Sequence, residues 1–201
     1  MSKYMGPKIK VLKRLGVILP GLVGINFDSK KIRKKNKDLF SKKTKSSEYN
    51  YKLIEKQKIK FYYCLTNKQL NNYVKKVASN SANSSFFLLI LLEKRLDNVI
   101  FRSGFSSTIL QARQLINHNH FLINGKKINI PSYCLKIGDV ISIKETSKIK
   151  NVLLKNRENI SYKLPSSLIN VNNETIKFIS NPIKTDILVP FNEQLVIEYY
   201  H

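Results

Sequence analysis

The chain has 201 residues, with 36 Lys and Arg against 13 Asp and Glu, a net charge of +23. That excess is far beyond what solubility needs and points to a polyanionic partner. Carboxylates so few and scattered argue against metal-ion phosphoryl chemistry, and the apolar run Phe86 to Leu92, seven residues long, is too short to cross a membrane.

The length suits one or two domains with a real core. Residues 1 to 60 carry 18 basic and 4 acidic residues, and residues 61 to 201 carry 18 and 9. The N-terminal segment is therefore the densest cationic arm, with too few apolar residues for a core of its own. The 30 Lys, 24 Ile and 21 Asn, against only 6 Arg, suggest an A/T-rich coding sequence. Cys64 and Cys134 lack the paired spacing of a zinc site or disulfide framework and are expected to be reduced and structural.

The first segment, KYMGPKIKVLKRLG, places a Gly6-Pro7 turn before Lys8, Lys10, Lys13 and Arg14, with Lys3 ahead of it. On charge alone it is a solvated tail or an arm that orders against phosphate. Residues 30 to 45 add KKIRKK and then Lys37, Lys42, Lys43 and Lys45, a run expected to have poor helical order in isolation. Tyr49 to Tyr63 predicts a helix carrying Lys52, Lys56 and Lys60, with Ile59 and Tyr63 on its apolar side. Thr66 caps the next helix, striped by Leu70, Tyr73, Val74 and Val77. The tyrosines of these two segments fit core packing with the hydroxyl at the rim better than base stacking. Asn80 to Ser85 is a polar linker, and Phe86 opens a long helix into the centre of the chain.

From Leu92 to Arg102, apolar Leu92, Leu96, Val99 and Ile100 repeat at helical period, with Lys94, Arg95, Asn98 and Arg102 off the stripe. Gly104 stops the helix, and Ser107 or Thr108 caps a second one over Ile109 to Asn117. Its inner side is Ile109, Ala112, Leu115 and Ile116, while Arg113 and Asn117 sit four apart on one face beside Gln114. Asn119 suits positive φ. Phe121 to Ile123, then Asn124-Gly125 and Lys126-Lys127, read as a hairpin, with Ile128 and Ile130 alternating on the returning strand until Pro131. After Gly138-Asp139, Ile141 and Ile143 alternate on a further strand. His118 and His120 lack a third ligand at a useful spacing, which favours phosphate or helix-end contacts over metal.

Ser147 to Asn156 predicts a short helix with Ile149, Val152 and Leu153 inward. Leu164 to Ile169 is extended, Glu174 to Ile179 alternates like a strand, and Asn181-Pro182 turns. In FNEQLVIEYY, Leu195, Ile197 and Tyr199 share a face.

RLDNVIFRSGF, ARQLINH and INGKKINIPSY resemble the RNA-binding module of the small-subunit ribosomal protein S4 family. The start KYMGPKIKVLKRLG, the phrase EKQK with LTNKQLNNYV, and the ending NEQLVIEYY are similar to that family too, and RLGVILPGL to its plastid-encoded branch. The resemblance implies an α+β fold: a discontinuous helical domain with an inserted module of two short helices, a β-hairpin and strands. The expected boundaries are a basic extension over 1–45, a helical domain over 46–91 completed by 183–201, and the module with a following small sheet over 92–182.

It further implies a non-enzymatic constituent of the small subunit, without cofactor or metal, since the zinc-binding cysteine cluster of bacterial relatives is missing. It would bind the five-prime domain of small-subunit rRNA, nucleate assembly of the body, touch ribosomal protein S5 and bear on translational accuracy. Lys42, Lys43 and Lys45 would lie near the place where mRNA enters. The expected rRNA contacts are Lys3, Lys8, Lys10, Lys13, Arg14, Lys52, Lys56, Lys60, Arg95, Arg102, Arg113, Gln114, Asn117, His118, His120, Lys126 and Lys127. With no apolar signal core and no transit peptide read at the N-terminus, a plastid stroma is expected; a mitochondrion or the cytoplasm of an A/T-rich bacterium is the alternative. Two rivals use the same module. One is a pseudouridine synthase, whose RLD motif carries a catalytic Asp; here Asp97 is expected to pair locally with Lys94 or another basic neighbour. The other is a free RNA chaperone or ribosome rescue factor, a class usually shorter and without this start and ending.

Overall fold

The computed structural model describes residues 6–24, 48–79, 85–158 and 164–200. They fall into two compact units. One joins the two ends of the chain, Met1–Leu88 with Val189–His201, and the other is Leu89–Leu188.

The described part of the first unit is helical: α1 Lys8–Leu15, α2 Pro20–Val23, α3 Glu48–Tyr62, α4 Asn67–Ala78 and, from the far end of the chain, α9 Glu193–Tyr200. Both α1 and α2 pack on α3, while α9 packs on α3 and α4. The basic start is thus not a bare tail over its described stretch. Val11, Leu12 and Leu15 of α1 are buried, as are Leu19 and Leu22 around α2. Three or four apolar residues at helical spacing suffice when another helix supplies the opposite wall. Gly16, at φ 68, ends α1 in the left-handed conformation glycine adopts without penalty.

Thr66 caps α4 as the sequence predicts. Its hydroxyl accepts from the Gln69 N–H (3.2 Å), and the Gln69 side chain accepts from the Thr66 N–H (3.0 Å). The C-terminal FNEQLVIEYY forms a helix that buries Glu193 and Val196, so Leu195, Ile197 and Tyr199, expected on one face, do not form a common inward face.

The second unit starts within α5 Phe86–Glu93 and continues through α6 Leu96–Arg102, α7 Ile109–Asn117, β1 Phe121–Ile123, β2 Lys126–Lys127, β3 Val140–Ile143, α8 Lys150–Glu158, β4 Leu168–Asn172 and β5 Thr175–Phe178, then a 3-10 turn at Lys184–Asp186. Its antiparallel sheet has strand order β2-β1-β3-β5-β4. Phe121, Ile123, Ile141, Ile143, Ile176 and Phe178 are buried with the inward residues of α6 and α7.

Three local expectations are corrected here. The long helix from Phe86 breaks at Lys94-Arg95, because the N–H groups of Leu96 and Asp97 donate to the carbonyls of Tyr133 (2.9 Å) and Pro131 (3.1 Å) instead of to the preceding turn. Arg95 is extended and bridges to Cys134. Strand β2 stops at Lys127, so Ile128 and Ile130 are not part of it, and Ile130 is exposed. In α8 Leu153 faces in, but Val152 faces solvent.

Candidate nucleic-acid interface

The second unit presents α7 beside the β1–β2 hairpin. Thr108 caps α7 by accepting from the Gln111 N–H (3.2 Å), and Gln111 in turn accepts from the Ser107 N–H and hydroxyl, each at 2.8 Å. With Ile109, Ala112, Leu115 and Ile116 buried, the outer face of α7 is left to Gln114, Asn117 and His118, all exposed. Asn119 then takes φ 57, a left-handed step that an asparagine tolerates, and the chain turns into β1.

At the tip, Asn124 (φ 49) and Gly125 (φ 76) make the two-residue turn with both φ positive that twisted antiparallel strands favour. The Asn124 side chain fixes this turn: its amide donates to Asp139 (2.9 Å) and its carbonyl accepts from the Val140 N–H (2.9 Å). Lys126 and Lys127 follow, both exposed on an edge strand. The hairpin therefore carries two exposed ammonium groups.

The arginines behave differently from the surface cations expected of them. Asp97, 1 % exposed, lies between two guanidinium groups. Arg95 grips both its oxygens, Nε to Oδ1 at 3.0 Å and Nη2 to Oδ2 at 2.7 Å, while Arg113 Nε reaches Oδ2 at 2.7 Å. The Asn98 N–H also donates to Oδ1 (2.9 Å). One carboxylate thus joins the start of α6 to the middle of α7 through charge-assisted bonds. Arg95 is buried, and Arg113 is largely so. Arg102 is buried as well, with Nη2 donating to the carbonyl of Asp186. Asp186 itself accepts from the N–H and hydroxyl of Ser166 (2.9 and 2.8 Å). Of the local partners expected for Asp97, Lys94 or another basic neighbour, it is Arg95 that pairs with it, while Lys94 donates to the Asn181 side chain (3.3 Å).

In the first unit, Lys10 and Arg14 are exposed on α1, and Lys8 and Lys13 half-exposed. Lys60 on α3 is close enough to Arg14 and Lys56 to feel their charge; burial first, and then those two cations, push its ammonium pKa below the ordinary value. Such a crowd of cations is relieved by a bound anion. Lys52 and Lys56 are placed otherwise. Lys52 pairs with Glu48 (2.7 Å) and Glu198 (3.3 Å), which raises its pKa. Lys56 is buried, its Nζ 4.1 Å from the centre of the Tyr199 ring, and burial lowers its pKa. Lys3, Lys42, Lys43 and Lys45 lie outside the described residues.

No group of three or more His, Cys, Asp or Glu able to hold a metal occurs among the described residues. What these surfaces offer is hydrogen-bond donors, amides and cations on rigid elements, with the buried carboxylate of Asp97 enclosed by two arginines. Those are the groups with which proteins meet RNA phosphates and base edges.

Comparison with known proteins agrees in both halves. The family model "Ribosomal protein S4/S9 N-terminal domain" matches residues 3–93, and "S4 domain" matches residues 94–141. The protein named small ribosomal subunit protein uS4c of Prototheca wickerhamii is 42% identical over all of this chain and 98% of its own length. The uS4c of Mesostigma viride is 40% identical over the same shares, and the bacterial uS4 of Sulfurihydrogenibium sp. (strain YO3AOP1) 39% identical over all of this chain and 99% of its own. The chain belongs to the small-subunit ribosomal protein S4 family.

Proposed function

We propose that this protein is a structural constituent of the small ribosomal subunit, of the plastid type, that binds small-subunit rRNA and has no enzymatic activity. The observation that carries the reading is likeness over the whole length to uS4c proteins, with both halves matched by ribosomal family models. The RNA-facing set we favour is narrower than the one read from sequence. It keeps Lys8, Lys10, Lys13, Arg14 and Lys60 in the first unit, and Gln114, Asn117, His118, His120, Lys126 and Lys127 in the second. Arg113 stands at the edge of the second set, held by Asp97. Arg95 and Arg102 support that surface from inside.

Cations over rRNA phosphates release counterions, so affinity falls steeply with salt, by a log–log slope of about 0.7 to 0.9 per phosphate. Because the A-form major groove is too deep and narrow to read, selection rests on the shape of a helical junction. We further propose the five-prime domain of the rRNA as the target, early in assembly, with ribosomal protein S5 as a neighbour, a bearing on accuracy, and Lys42, Lys43 and Lys45 near the mRNA entrance. Chemical footprinting of a five-prime-domain transcript, titrated across a salt series, tests the reading. A compact footprint that survives competitor RNA is the expected result; diffuse protection lost with modest salt would overturn it.

A further inference from the structure

His118 and His120 flank the left-handed Asn119 at the exit of α7. Their imidazole rings are nearly parallel, 7° between planes, with centres 6.2 Å apart. Nearly parallel rings at that separation lie within the range of stacked aromatic pairs. His118 is exposed, whereas His120 is partly buried and tied through Nδ1 to the Ser147 hydroxyl at 2.9 Å. The backbone holds the arrangement as well: His118 N–H donates to the Gln114 carbonyl (3.0 Å), His120 N–H to that of Leu115 (3.2 Å), and Lys144 N–H to that of His120 (2.9 Å). Both rings are thus set on a fixed frame.

The groups around the pair suit a nucleotide. Asn117 and Gln114 are exposed on the same end and side of α7, and they offer amide donors and acceptors to a base edge. Lys144 lies near enough to His120 for its charge to be felt. Burial first, then His118 and Lys144, holds the His120 pKa below its ordinary value, so at neutral pH this ring is an uncharged plane and not a phosphate-binding cation.

We infer that His118 and His120 form a stacking platform for one unpaired RNA base, beside the cationic hairpin that holds the backbone. This deepens the proposed function and rests on it. The base adds its π-face to His118, the amides of Asn117 and Gln114 meet its edge, and phosphate contact is left to the lysines. Stacking of this kind is insensitive to salt, unlike the rest of the interface.

The test uses the full chain and a transcript of the five-prime domain of small-subunit rRNA, with affinity measured at several salt concentrations. His118→Ala is expected to weaken binding about 5- to 150-fold, the range of one lost base–aromatic stack, with the salt slope unchanged. His118→Phe, which keeps a ring and discards the nitrogens, should stay within about threefold of the unsubstituted protein. Phe as weak as Ala, or a slope reduced by about one unit in both variants, would overturn the platform and make His118 a hydrogen-bond donor or phosphate contact. An unchanged affinity for His118→Ala overturns it as well. If the unsubstituted protein binds the transcript without selectivity, it is the ribosomal RNA reading that has failed; if it binds selectively and only the His118 series misbehaves, the platform alone has failed.

Discussion

Replacing Asp97 by alanine would remove the one anion between Arg95 and Arg113. Asp97 is 1 % exposed, and the guanidinium groups beside it are 3 % and 13 % exposed as side chains. Neither cation reaches full hydration without opening the module. Losing one partner of a buried ion pair costs about 3–5 kcal/mol, mainly because the remaining charge stays desolvated. A domain's whole stability is about 5–15 kcal/mol, so the variant would keep the second unit folded only marginally. Urea denaturation, followed separately for helical signal and tyrosine fluorescence, measures the change. With a slope of about 1–3 kcal/mol per molar urea, the midpoint of the second unit should fall by at least about 1 M, and any separate transition of the first unit should stay put. Asp97→Asn keeps an acceptor oxygen and the side-chain shape, and should fall in between. A loss below about 1 kcal/mol for Asp97→Ala would refute the claim that this carboxylate organises the module.

Four further outcomes follow from single features. Thr66→Ala dissolves the capping box on α4 and should cost about 0.5–2 kcal/mol, read as a lower thermal midpoint. Gly125→Ala meets no atom within 4 Å, so its cost, about 1 kcal/mol, arises from φ 76 alone; urea titration checks it, and a neutral result would mean the turn relaxes to another type. Removing Lys126 and Lys127 together should flatten the salt dependence of RNA binding by up to about two units while leaving thermal stability intact. His120 has a folded pKa below its unfolded one, so the unfolded chain takes up the proton first. The associated stability is complete above the ordinary imidazole pKa of about 6.5 and declines as pH falls through that value toward the lower folded pKa. His120→Gln should remove that part of the slope in a pH series of melts.

What could be read before folding, and what could not, divides along one physical line. Helix α7 was legible in full because local signals agree: a Thr cap, an apolar side at period 3.6, and an asparagine able to turn left-handed after it. The hairpin was legible for the same reason at Asn124-Gly125. Arg95 was misplaced because periodicity assigns it an outer face only if the helix runs unbroken through Lys94. The carbonyls of Pro131 and Tyr133, far away in sequence, interrupt the ladder there and turn Arg95 inward onto Asp97. Lys52 has a local partner in Glu48 four residues before it, but Glu198 and the Tyr199 ring that covers Lys56 come from the other end of the chain, where no local pattern announces them. The same long reach explains α9. Leu195, Ile197 and Tyr199 lie two apart, and in a helix that packs on α3 and α4 it is Val196 between them that is buried. Within the module, the exposed residues Gln114, Asn117, His118, Lys126 and Lys127 kept the surface positions that the pattern assigns.

Helix α9 also sets an order of events during synthesis. The Asn192 N–H, just ahead of it, donates to Glu55 (3.2 Å), 137 positions earlier, and its Tyr199 ring covers Lys56. Every strand and helix of the second unit has been translated before α9 exists. A chain still being extended therefore has a complete RNA-binding module while Lys56 of the first unit waits for its cover. The nascent protein acquires the means to grip RNA before its own helical scaffold is closed.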